Sequence, residues 1–314
     1  MKKLLKIILK KLGMFDNLQN RYLILKCYFM KSKYNNDKEK IHYIEKNFKK
    51  KLGYEIDFSK DPVTFNQKIQ FRKLYDNNPL YAICADKYRV REYVKEKIGE
   101  EYLIPLYLVT DKLTMEQWEK LPNSFVAKAN HNSGPVQIIK DKTKVNAQKI
   151  IDELNNQLKL DYGVLSMEKY YSDIPRKIIV EKYLKDDIED YKIHCFRNGE
   201  LYIDVCTRET GETESILYDK NWQNLGVTAG KLSDKKFVKP KNFNFMIKIA
   251  EKLCKDFDYV RVDLYNIEGK IYFGELTFCE NSGFGKFSDE TWDYKFGILW
   301  RQKNFKEGFK NEKG

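Results

Sequence analysis

The 314-residue sequence lacks the patterns that mark several common classes of protein. Its six cysteines contain no CxxC pair, which argues against a zinc knuckle or a disulfide scaffold and favours a reducing, cytoplasmic compartment. No run of about 18 apolar residues is present, so no membrane-spanning helix is expected. Only 7 residues are proline while 42% are hydrophobic, which excludes a disordered or collagen-like chain. The sequence predicts a globular protein.

Signatures of several enzyme classes are also missing. No GxxxxGK[ST] or GxGxxG follows an apolar strand, which excludes the usual phosphate loops of P-loop and dinucleotide-binding proteins. The sequence has no HExxH and no GxSxG, and its three histidines are far apart. A zinc protease or a Ser-His-Asp hydrolase would therefore lack its local signature.

Positive charge is concentrated at the beginning of the chain. The net charge is +12, from 58 basic and 46 acidic residues. Residues 1–60 hold 16 Lys plus Arg and 6 Asp plus Glu, a balance of +10, which leaves only +2 for the rest. A nucleic-acid partner is not expected, because the main body carries little net charge.

The first twelve residues combine apolar and basic side chains at helical spacing. Leu4, Leu5, Ile8, Leu9 and Leu12 recur on one face, and five lysines fill the other. Two interpretations stay open. In the first, residues 1–15 bind an anionic membrane surface, which would place the protein peripherally on the inner face of the cytoplasmic membrane. In the second, this helix packs on the main domain. Interruption of the apolar stretch by lysine argues against a signal peptide.

The order of predicted elements indicates a mixed α+β chain in three segments. We expect a basic helical extension over residues 1–60, the main domain over residues 61–300, and a basic, loosely ordered tail over residues 301–314. A helix is predicted to begin after Thr64, and hairpin turns at Asn198-Gly199 and Glu268-Gly269. A polar connection is expected between the strand Leu201–Thr207 and the helix Asn242–Phe257.

Two consecutive predicted strands near the end of the main domain carry charged side chains on matching faces. Arg261 and Asp263 share one face of the first strand, and Glu275 and Thr277 share one face of the second. Two carboxylates and a cation therefore meet across the hairpin, and hard divalent cations such as Mg²⁺ take oxygen ligands. The alternative is an ordinary cross-strand ion pair on an exposed sheet.

A second set of residues fits a nucleotide. Lys128 ends an apolar strand just before a turn in which Asn132, Ser133 and Gly134 have backbone N–H groups that suit a phosphate. His131 in this turn either contacts phosphate or substrate or serves only the turn. The apolar strand that ends at Leu184 offers backbone groups for an adenine edge.

Asp256-Phe257-Asp258 is a competing signal. Such a DxD holds a metal on a sugar-nucleotide diphosphate in many glycosyltransferases. It precedes a strand rather than ending one, which favours a solvated turn at the end of a helix.

Taken in order, these pieces resemble the TupA-like branch of the ATP-grasp superfamily, found in bacterial teichuronopeptide and capsular polysaccharide gene clusters. The resemblance covers about residues 60–300 and rests on the order of the motifs. Thr277 stands where the wider superfamily has a metal-binding Asn, and the phosphate turn has a single glycine followed by Pro135. The motifs are Asp86-Lys87-Tyr88, Glu100 to Leu106, Lys128 with Asn130 to Gly134, Glu181 to Leu184, Asp190-Tyr191-Lys192, Arg261 to Tyr265 and Gly274 to Phe278.

The resemblance implies an ATP-grasp fold, in which two α+β subdomains hold ATP, here preceded by the basic helical extension. It also implies an ATP-dependent carboxylate–amine ligase with Mg²⁺, in which an acyl phosphate forms and an amine displaces phosphate to give an amide. The implied substrates are a uronic acid in a capsular or cell-surface glycan or its precursor, and an amino acid or amino alcohol.

The same resemblance implies a role for each motif residue. Phosphate would be contacted by Lys87, Lys128, Lys192, Ser133 and Gly134. Adenine would be bordered by Glu181, Tyr183 and Leu184, with Asp190 at the ribose, and the metal would be held by Asp263, Glu275 and Thr277. Arg261 would act with Lys128 in catalysis, and the acceptor would be bordered by Asn281, Ser282 and Gly283. Two alternatives stay open, a glycosyltransferase that uses the DxD and a non-catalytic ATP-grasp scaffold.

Overall fold

The structure, a computed structural model, describes residues 15–302, with helical side chains described from Tyr22 onward. The predicted helix over the first twelve residues and most of the predicted tail lie outside the described residues. Helices and two sheets make up the described chain, which confirms the α+β class. No helix within residues 15–302 has the length and apolar character needed to cross a membrane.

The helices and strands lie in mixed order along the chain. The helices are α1 Phe15–Lys33, α2 Asp37–Leu52, α3 Phe65–Tyr75, α4 Leu80–Cys84, α5 Val90–Ile98, α6 Met115–Lys120, α7 Ala147–Gln157, α8 Tyr162–Ser166, α9 Phe243–Cys254 and α10 Thr291–Leu299. The strands are β1 Leu106–Thr110, β2 Phe125–Ala129, β3 Gln137–Ile139, β4 Ile178–Lys182, β5 Asp190–Phe196, β6 Leu201–Thr207, β7 Glu214–Asp219, β8 Lys231–Leu232, β9 Tyr259–Ile267 and β10 Lys270–Thr277.

The chain divides into two compact units. Unit 1 takes in the chain up to Lys40, Asp86–Tyr88 and Ile104–Leu184. Unit 2 takes in Ile41–Ala85, Arg89–Leu103 and the chain from Lys185 onward. The predicted segment boundary at residue 60 therefore falls inside unit 2, and the three-segment division stays a prediction.

Unit 1 is built on an antiparallel sheet in the order β1-β4-β2-β3. Since side chains alternate along a strand, one face of β2 and β4 is apolar and packs on α6 and α7. This core contains Leu113, Trp118, Leu121, Phe125, Ala127, Ile139, Ile150, Ile151, Leu154, Ile178 and Val180. The other face carries Lys128 and Glu181.

Unit 2 is built on a six-stranded sheet in the order β10-β9-β5-β6-β7-β8. Every pair is antiparallel except β7 with β8. The apolar helix α9 packs against β5 and β9. The predicted turns at Asn198-Gly199 and Glu268-Gly269 are confirmed, and the backbone φ angles of Glu268 and Gly269 are 54° and 87°, as a type I′ hairpin requires.

Aromatic side chains cover one end of the opposite face of this sheet. The Phe65 ring at the start of α3 lies 5.0 Å from Tyr259 of β9, 5.5 Å from Phe296 of α10 and 5.8 Å from Trp300, centroid to centroid. Tyr259 shares its strand face with Arg261 and Asp263. The aromatic packing therefore covers the end of this face that contains Tyr259. The polar residues Arg261 and Asp263 follow farther along β9.

The predicted elements agree with most of those observed. Thr64 caps α3 as expected, because its Oγ1 accepts from the Gln67 N–H at 3.2 Å and the Gln67 side chain accepts from the Thr64 N–H. The predicted polar connection after Thr207 was wrong, because it contains β7 and β8. The β7 segment is short and has no strong local strand pattern in its sequence. It is a buried strand because it pairs with β6. Helix α10 was also not predicted.

Candidate functional site

The predicted site residues fall into both units. Unit 1 contains Lys87, Lys128, Ser133, Gly134, Glu181, Tyr183 and Leu184. Unit 2 contains Asp190, Lys192, Arg261, Asp263, Glu275, Thr277, Asn281, Ser282 and Gly283. Each group is described within its own unit.

Lys128 and Glu181 form an ion pair on the polar face of the unit 1 sheet. Their strands are neighbours, with Lys128 opposite Ile179 and Glu181 opposite Val126, so both side chains emerge on one face. The Lys128 Nζ lies 2.5 Å from a Glu181 carboxylate oxygen, and the two side chains are 17% and 9% exposed. The carboxylate therefore fixes the position of the ammonium.

The turn after β2 is tied to the short segment that contains Lys87. The Asn130 side chain donates to Asp86 Oδ1 at 2.8 Å, and the Lys87 backbone N–H donates to the Asn130 carbonyl at 3.1 Å. The Lys87 ammonium also donates to the Asn132 carbonyl at 2.5 Å. The structure thus brings Lys87 to the predicted phosphate turn.

The turn differs in one respect from the predicted phosphate cradle. The Gly134 N–H donates to the side-chain oxygen of Asn132 at 3.1 Å, which makes an Asx turn. This N–H is therefore engaged within the turn, and the expected contact of Gly134 with phosphate stays a prediction. Ser133 lies exposed at the tip, and its predicted contact stays a prediction.

His131 is fully buried, which contradicts the interpretation that it contacts phosphate or substrate. Its Nε2 lies 3.1 Å from the Leu160 carbonyl, and its Nδ1 has no hydrogen-bond partner in the part of the chain that the structure describes. Burial lowers the pKa of His131 to about 4, so the ring is neutral near pH 7. His131 supports the turn from inside unit 1.

The connector after β4 begins where the prediction places it. Tyr183 and Leu184 follow the last strand residue, Lys182, and both are half-buried. The Lys182 N–H donates to the Pro105 carbonyl at 2.9 Å, which fixes the end of the strand against the beginning of β1. The proposed contact of the connector with adenine stays a prediction.

A row of charged residues crosses four neighbouring strands of the unit 2 sheet. Lys192 of β5 lies opposite Asp204 of β6 on one side and opposite Asp263 of β9 on the other. Glu275 of β10 lies opposite Asp263. Because directly opposed residues point to the same face, the row places one cation among three carboxylates. Asp204 was not predicted; its only signal is its alternating position within the strand Leu201–Thr207.

Glu275 reaches this row through a β-bulge at Gly274. The pairing register between β10 and β9 shifts between Phe273 and Glu275. Since side chains alternate, the extra residue is what turns Glu275 to the face of Asp263. A Cβ atom on Gly274 would lie 3.1 Å from the Asp263 carbonyl oxygen, so the bulge favours glycine.

Arg261 is held by three carboxylates. Its Nε and one terminal nitrogen donate to the two carboxylate oxygens of Asp263, both at 2.6 Å, and that terminal nitrogen lies 3.1 Å from a Glu275 oxygen. The other terminal nitrogen donates to Glu280. Thr277 lies beside this group and donates to Glu275 at 3.2 Å. The sequence reasoning missed Glu280, which follows the strand and belongs to no motif.

Burial perturbs the titration of the charged cluster. It raises the pKa of Asp263 to about 7, and the nearby charges of Asp190 and Glu275 add to this effect while Arg261 opposes it. Burial also raises the pKa of Asp190 against the opposing charges of Lys192 and Arg261. The pKa of Arg261 is raised, because attraction to its carboxylates exceeds the effect of burial.

The donor set suits a hard cation that also binds phosphate. Asp263 and Glu275 supply carboxylate oxygens, and Mg²⁺ is commonly held by one or two carboxylates together with substrate phosphates. Asp190 Oδ1 is buried with no hydrogen-bond partner among the described residues, although Lys192 lies 3.8 Å from the other oxygen. Within residues 15–302, no three His, Cys, Asp or Glu side chains are arranged to hold a metal ion by themselves.

The turn after β10 has an unusual backbone. Asn281, Ser282 and Gly283 all have positive φ, at 45°, 54° and 69°. Helix α3 holds them, because Gln70 donates to the Ser282 and Gly283 carbonyls at 3.0 and 2.8 Å, and Lys73 donates to Ser282 at 2.6 Å. Two non-glycine residues with positive φ are costly, and such backbone is often found at functional sites. The acceptor role of this turn stays a prediction.

The DxD carboxylates are both used in contacts within unit 2. Asp258 is buried and paired with the fully buried Arg72. Asp256 pairs with Lys97 at 2.8 Å and accepts from the Tyr93 hydroxyl at 3.0 Å. Both carboxylates thus have a structural explanation, and Asp258 is not a solvated turn residue as the sequence suggested.

Comparison with known families gives one match over most of the chain. The family described as TupA-like ATPgrasp matches residues 67–300, in agreement with the resemblance inferred from the motifs. No curated protein matches the sequence.

Several solved structures are distantly similar. A D-alanine–D-alanine ligase from Bacillus anthracis complexed with ATP is 19% identical with a TM-score of 0.35, and the alignment covers 62% of this chain and 53% of the ligase. A D-alanine–D-alanine ligase from Helicobacter pylori is 13% identical with a TM-score of 0.38, over 78% and 67% of the two chains. An L-amino acid ligase from Bacillus licheniformis is 13% identical with a TM-score of 0.39, over 64% and 44%. The chain thus spans about half the length of the first of these ligases.

Proposed function

The chain belongs to the TupA-like ATP-grasp family, and we propose that it is an ATP-dependent carboxylate–amine ligase. In the proposed reaction a substrate carboxylate oxygen attacks the γ-phosphorus of ATP, and ADP leaves. An amine then attacks the acyl carbon of this acyl phosphate, loses a proton, and displaces inorganic phosphate to leave an amide. Charge stabilisation and positioning dominate such phosphoryl transfer.

The observation that carries the proposal is the charged cluster of unit 2. Arg261, Asp263 and Glu275 lie in hydrogen-bond contact, and Lys192 lies opposite Asp263 on the next strand. A surface ion pair would need only two of these groups. Two carboxylates beside two cations instead suit a metal ion and the phosphate oxygens that it binds.

Each residue of the cluster has a proposed role. Asp263 and Glu275, with Thr277 beside them, would hold Mg²⁺, which when bound supplies charge neutralisation at the phosphate oxygens. Lys192 would donate to a phosphate oxygen. Arg261 would stabilise the negative charge that develops on the acyl oxygen, after one of its donors leaves a carboxylate.

The unit 1 residues have proposed roles of their own toward a nucleotide. Lys128 would contribute a charge-assisted hydrogen bond to phosphate, and its pairing with Glu181 would keep the ammonium in place. Lys87 would add a second cation at the turn, since its ammonium contacts the Asn132 carbonyl. Tyr183 and Leu184 would border adenine.

The proposed substrate class rests on the family resemblance alone. We propose that the carboxylate is a uronic acid of a capsular or cell-surface glycan or its precursor, and that the amine is an amino acid or an amino alcohol. The turn at Asn281, Ser282 and Gly283 would border the acceptor. The enzyme would act in the cytoplasm, and residues 1–15 would hold it at the inner face of the membrane.

The glycosyltransferase alternative is less well supported. It needs Asp256 and Asp258 as metal ligands, but Asp258 is buried against Arg72 and Asp256 is paired with Lys97. The non-catalytic scaffold has no supporting observation, because Lys128, Asp263 and Glu275 are all present and clustered with charged partners.

Nucleotide-dependent stabilisation separates these functions. ATP with Mg²⁺ should raise the melting temperature, whereas UDP-glucose with Mn²⁺, a sugar nucleotide that has no carboxylate, should not. A panel of uronic acids and amines should then give ADP release that depends on both partners, and hydroxylamine should trap the acyl phosphate as a hydroxamate. Stabilisation by ATP without any turnover would favour the scaffold, and glycosyl transfer from the sugar nucleotide would refute the ligase.

A further inference from the structure

Helix α1 has an apolar face that is exposed in the part of the chain that the structure describes. The opposite face is packed, since Cys27 and Met30 are buried and the Cys27 thiol lies 3.6 Å from the Asp161 carbonyl oxygen. The exposed face consists of Tyr22, Leu25, Tyr28 and Phe29, which are 64%, 67%, 72% and 59% exposed. Four large apolar side chains on one helix form a patch of the kind that marks an interaction site.

The spacing of these residues gives one continuous stripe. Tyr22, Leu25 and Phe29 are related by steps of three and four residues, and Tyr28 lies three residues after Leu25. Lysines border the stripe at positions 26, 31 and 33. The Lys33 ammonium lies 5.4 Å from the Phe29 ring centroid, so a positive charge accompanies the apolar surface.

We propose that this face of α1 docks on an anionic lipid surface. Residues 15–33 carry four basic residues and one acidic residue, a balance of +3. The fourteen residues directly before them add five lysines and no acid, which gives +8 over residues 1–33. Tyrosine and phenylalanine between lysines suit the headgroup region, where rings enter the acyl boundary while ammonium groups stay at the phosphates.

Charge favours a membrane over a second copy of the chain. A symmetric dimer through this face would bring two copies of the 15–33 segment together, each with a balance of +3, and the lysines at the border of the stripe would face one another. An anionic bilayer attracts the same charges and accepts the exposed rings. Docking through α1 is independent of the ligase chemistry, and it adds a described helix to the membrane contact proposed for residues 1–15.

Vesicle binding of the full chain tests this assignment. The double variant Leu25→Ser/Phe29→Ser is compared with Ile298→Ser/Phe245→Ser. The control also removes one four-carbon aliphatic side chain and one phenylalanine, here from unit 2 helices, where they are 75% and 48% exposed. Co-sedimentation uses vesicles of phosphatidylcholine alone and of phosphatidylcholine with phosphatidylglycerol. All substituted side chains are exposed, so the melting temperatures should stay close to that of the wild type.

The wild type should sediment with the anionic vesicles, more strongly at about 0.1 M than at about 0.5 M salt, and not with the neutral ones. The α1 variant should bind about tenfold more weakly, because two apolar side chains no longer enter the bilayer, while the control variant binds like the wild type. As a second measurement, Phe29→Trp should show a blue shift of its emission on anionic vesicles, and Phe245→Trp should not.

Three results would overturn the assignment. Absence of wild-type binding to anionic vesicles would refute membrane docking. Equal binding by the α1 variant, without a spectral shift for Phe29→Trp, would place the contact in the preceding lysines alone. Self-association of the wild type that the α1 variant loses, without any effect on vesicles, would make the face a dimer contact.

Discussion

Replacing Lys128 by methionine tests whether its ammonium binds phosphate or only balances Glu181. Methionine keeps the length and apolar stem of the side chain and removes the charge. A hydrogen bond between charged groups contributes about 1.5 to 3 kcal/mol, so we expect the dissociation constant for ATP to rise about 10- to 150-fold. Lys128→Arg keeps the charge and should recover most of this affinity.

The same substitution also affects stability. It leaves the carboxylate of Glu181, which is 9% exposed, without the ammonium that lies 2.5 Å away. Loss of one partner from a mostly buried polar contact costs about 1 to 3 kcal/mol of the free energy of unfolding. Binding must therefore be measured well below the melting temperature of the variant, which circular dichroism provides.

Isothermal titration calorimetry with ATP and Mg²⁺ measures the affinity. Lys144→Met is the matched control, because Lys144 lies in the same unit, forms an ion pair with Asp141 at 3.4 Å, and is 81% exposed. This control should bind ATP like the wild type. If Lys128→Met also binds within about twofold of the wild type, less than 0.5 kcal/mol, the pair with Glu181 is purely structural and Lys128 has no place in the nucleotide site.

Three further predictions concern the cluster and the two cores. Asp263→Asn and Glu275→Gln should each abolish ADP release, because each removes a negative charge from the proposed metal site at constant volume. The circular dichroism spectrum should stay unchanged. Wild-type rates of ADP release in both variants would refute the assignment of the metal site. The pKa of His131 is about 4 in the folded chain and about 6.5 in the unfolded chain, so the unfolded chain binds the proton more tightly. Stability is therefore lost as the pH falls from about 6.5 towards 4. Urea unfolding should show about 2 kcal/mol less stability from this group at pH 5 than at pH 7, and His131→Gln should show a smaller decrease. Arg72→Met should lower the free energy of unfolding by about 3 to 5 kcal/mol, because Asp258 remains buried without its guanidinium; a loss below about 1 kcal/mol in the same assay would contradict this account.

The order of elements and the grouping of the motifs could be predicted from the sequence, because they depend on local patterns. Period-two alternation indicated the strands of the final hairpin, and Thr64 as an N-cap residue indicated the start of α3. The pairing of Arg261 with Asp263 follows from alternation alone, since they lie two residues apart on one strand. Family membership also needed only the order of these motifs.

The partners of each charged side chain were decided by the tertiary structure. Glu181 lies 53 residues after Lys128 in the sequence, and only the pairing of β2 with β4 brings the two charges together. Burial removed His131 and Asp258 from the candidates, and burial depends on packing by distant segments rather than on residue type.

The sequence by itself determined which residues carry the chemistry on β9 and β10, because side-chain alternation is a property of any strand. It did not determine how the two strands align. A one-residue bulge at Gly274 places Glu275 opposite Asp263, and without it the carboxylate would point to the other face. Likewise, Asp204 and Glu280 join the cluster only through strand pairing and the turn after β10. Contacts between residues far apart in sequence carry no local signal, and so the composition of the site follows from the fold.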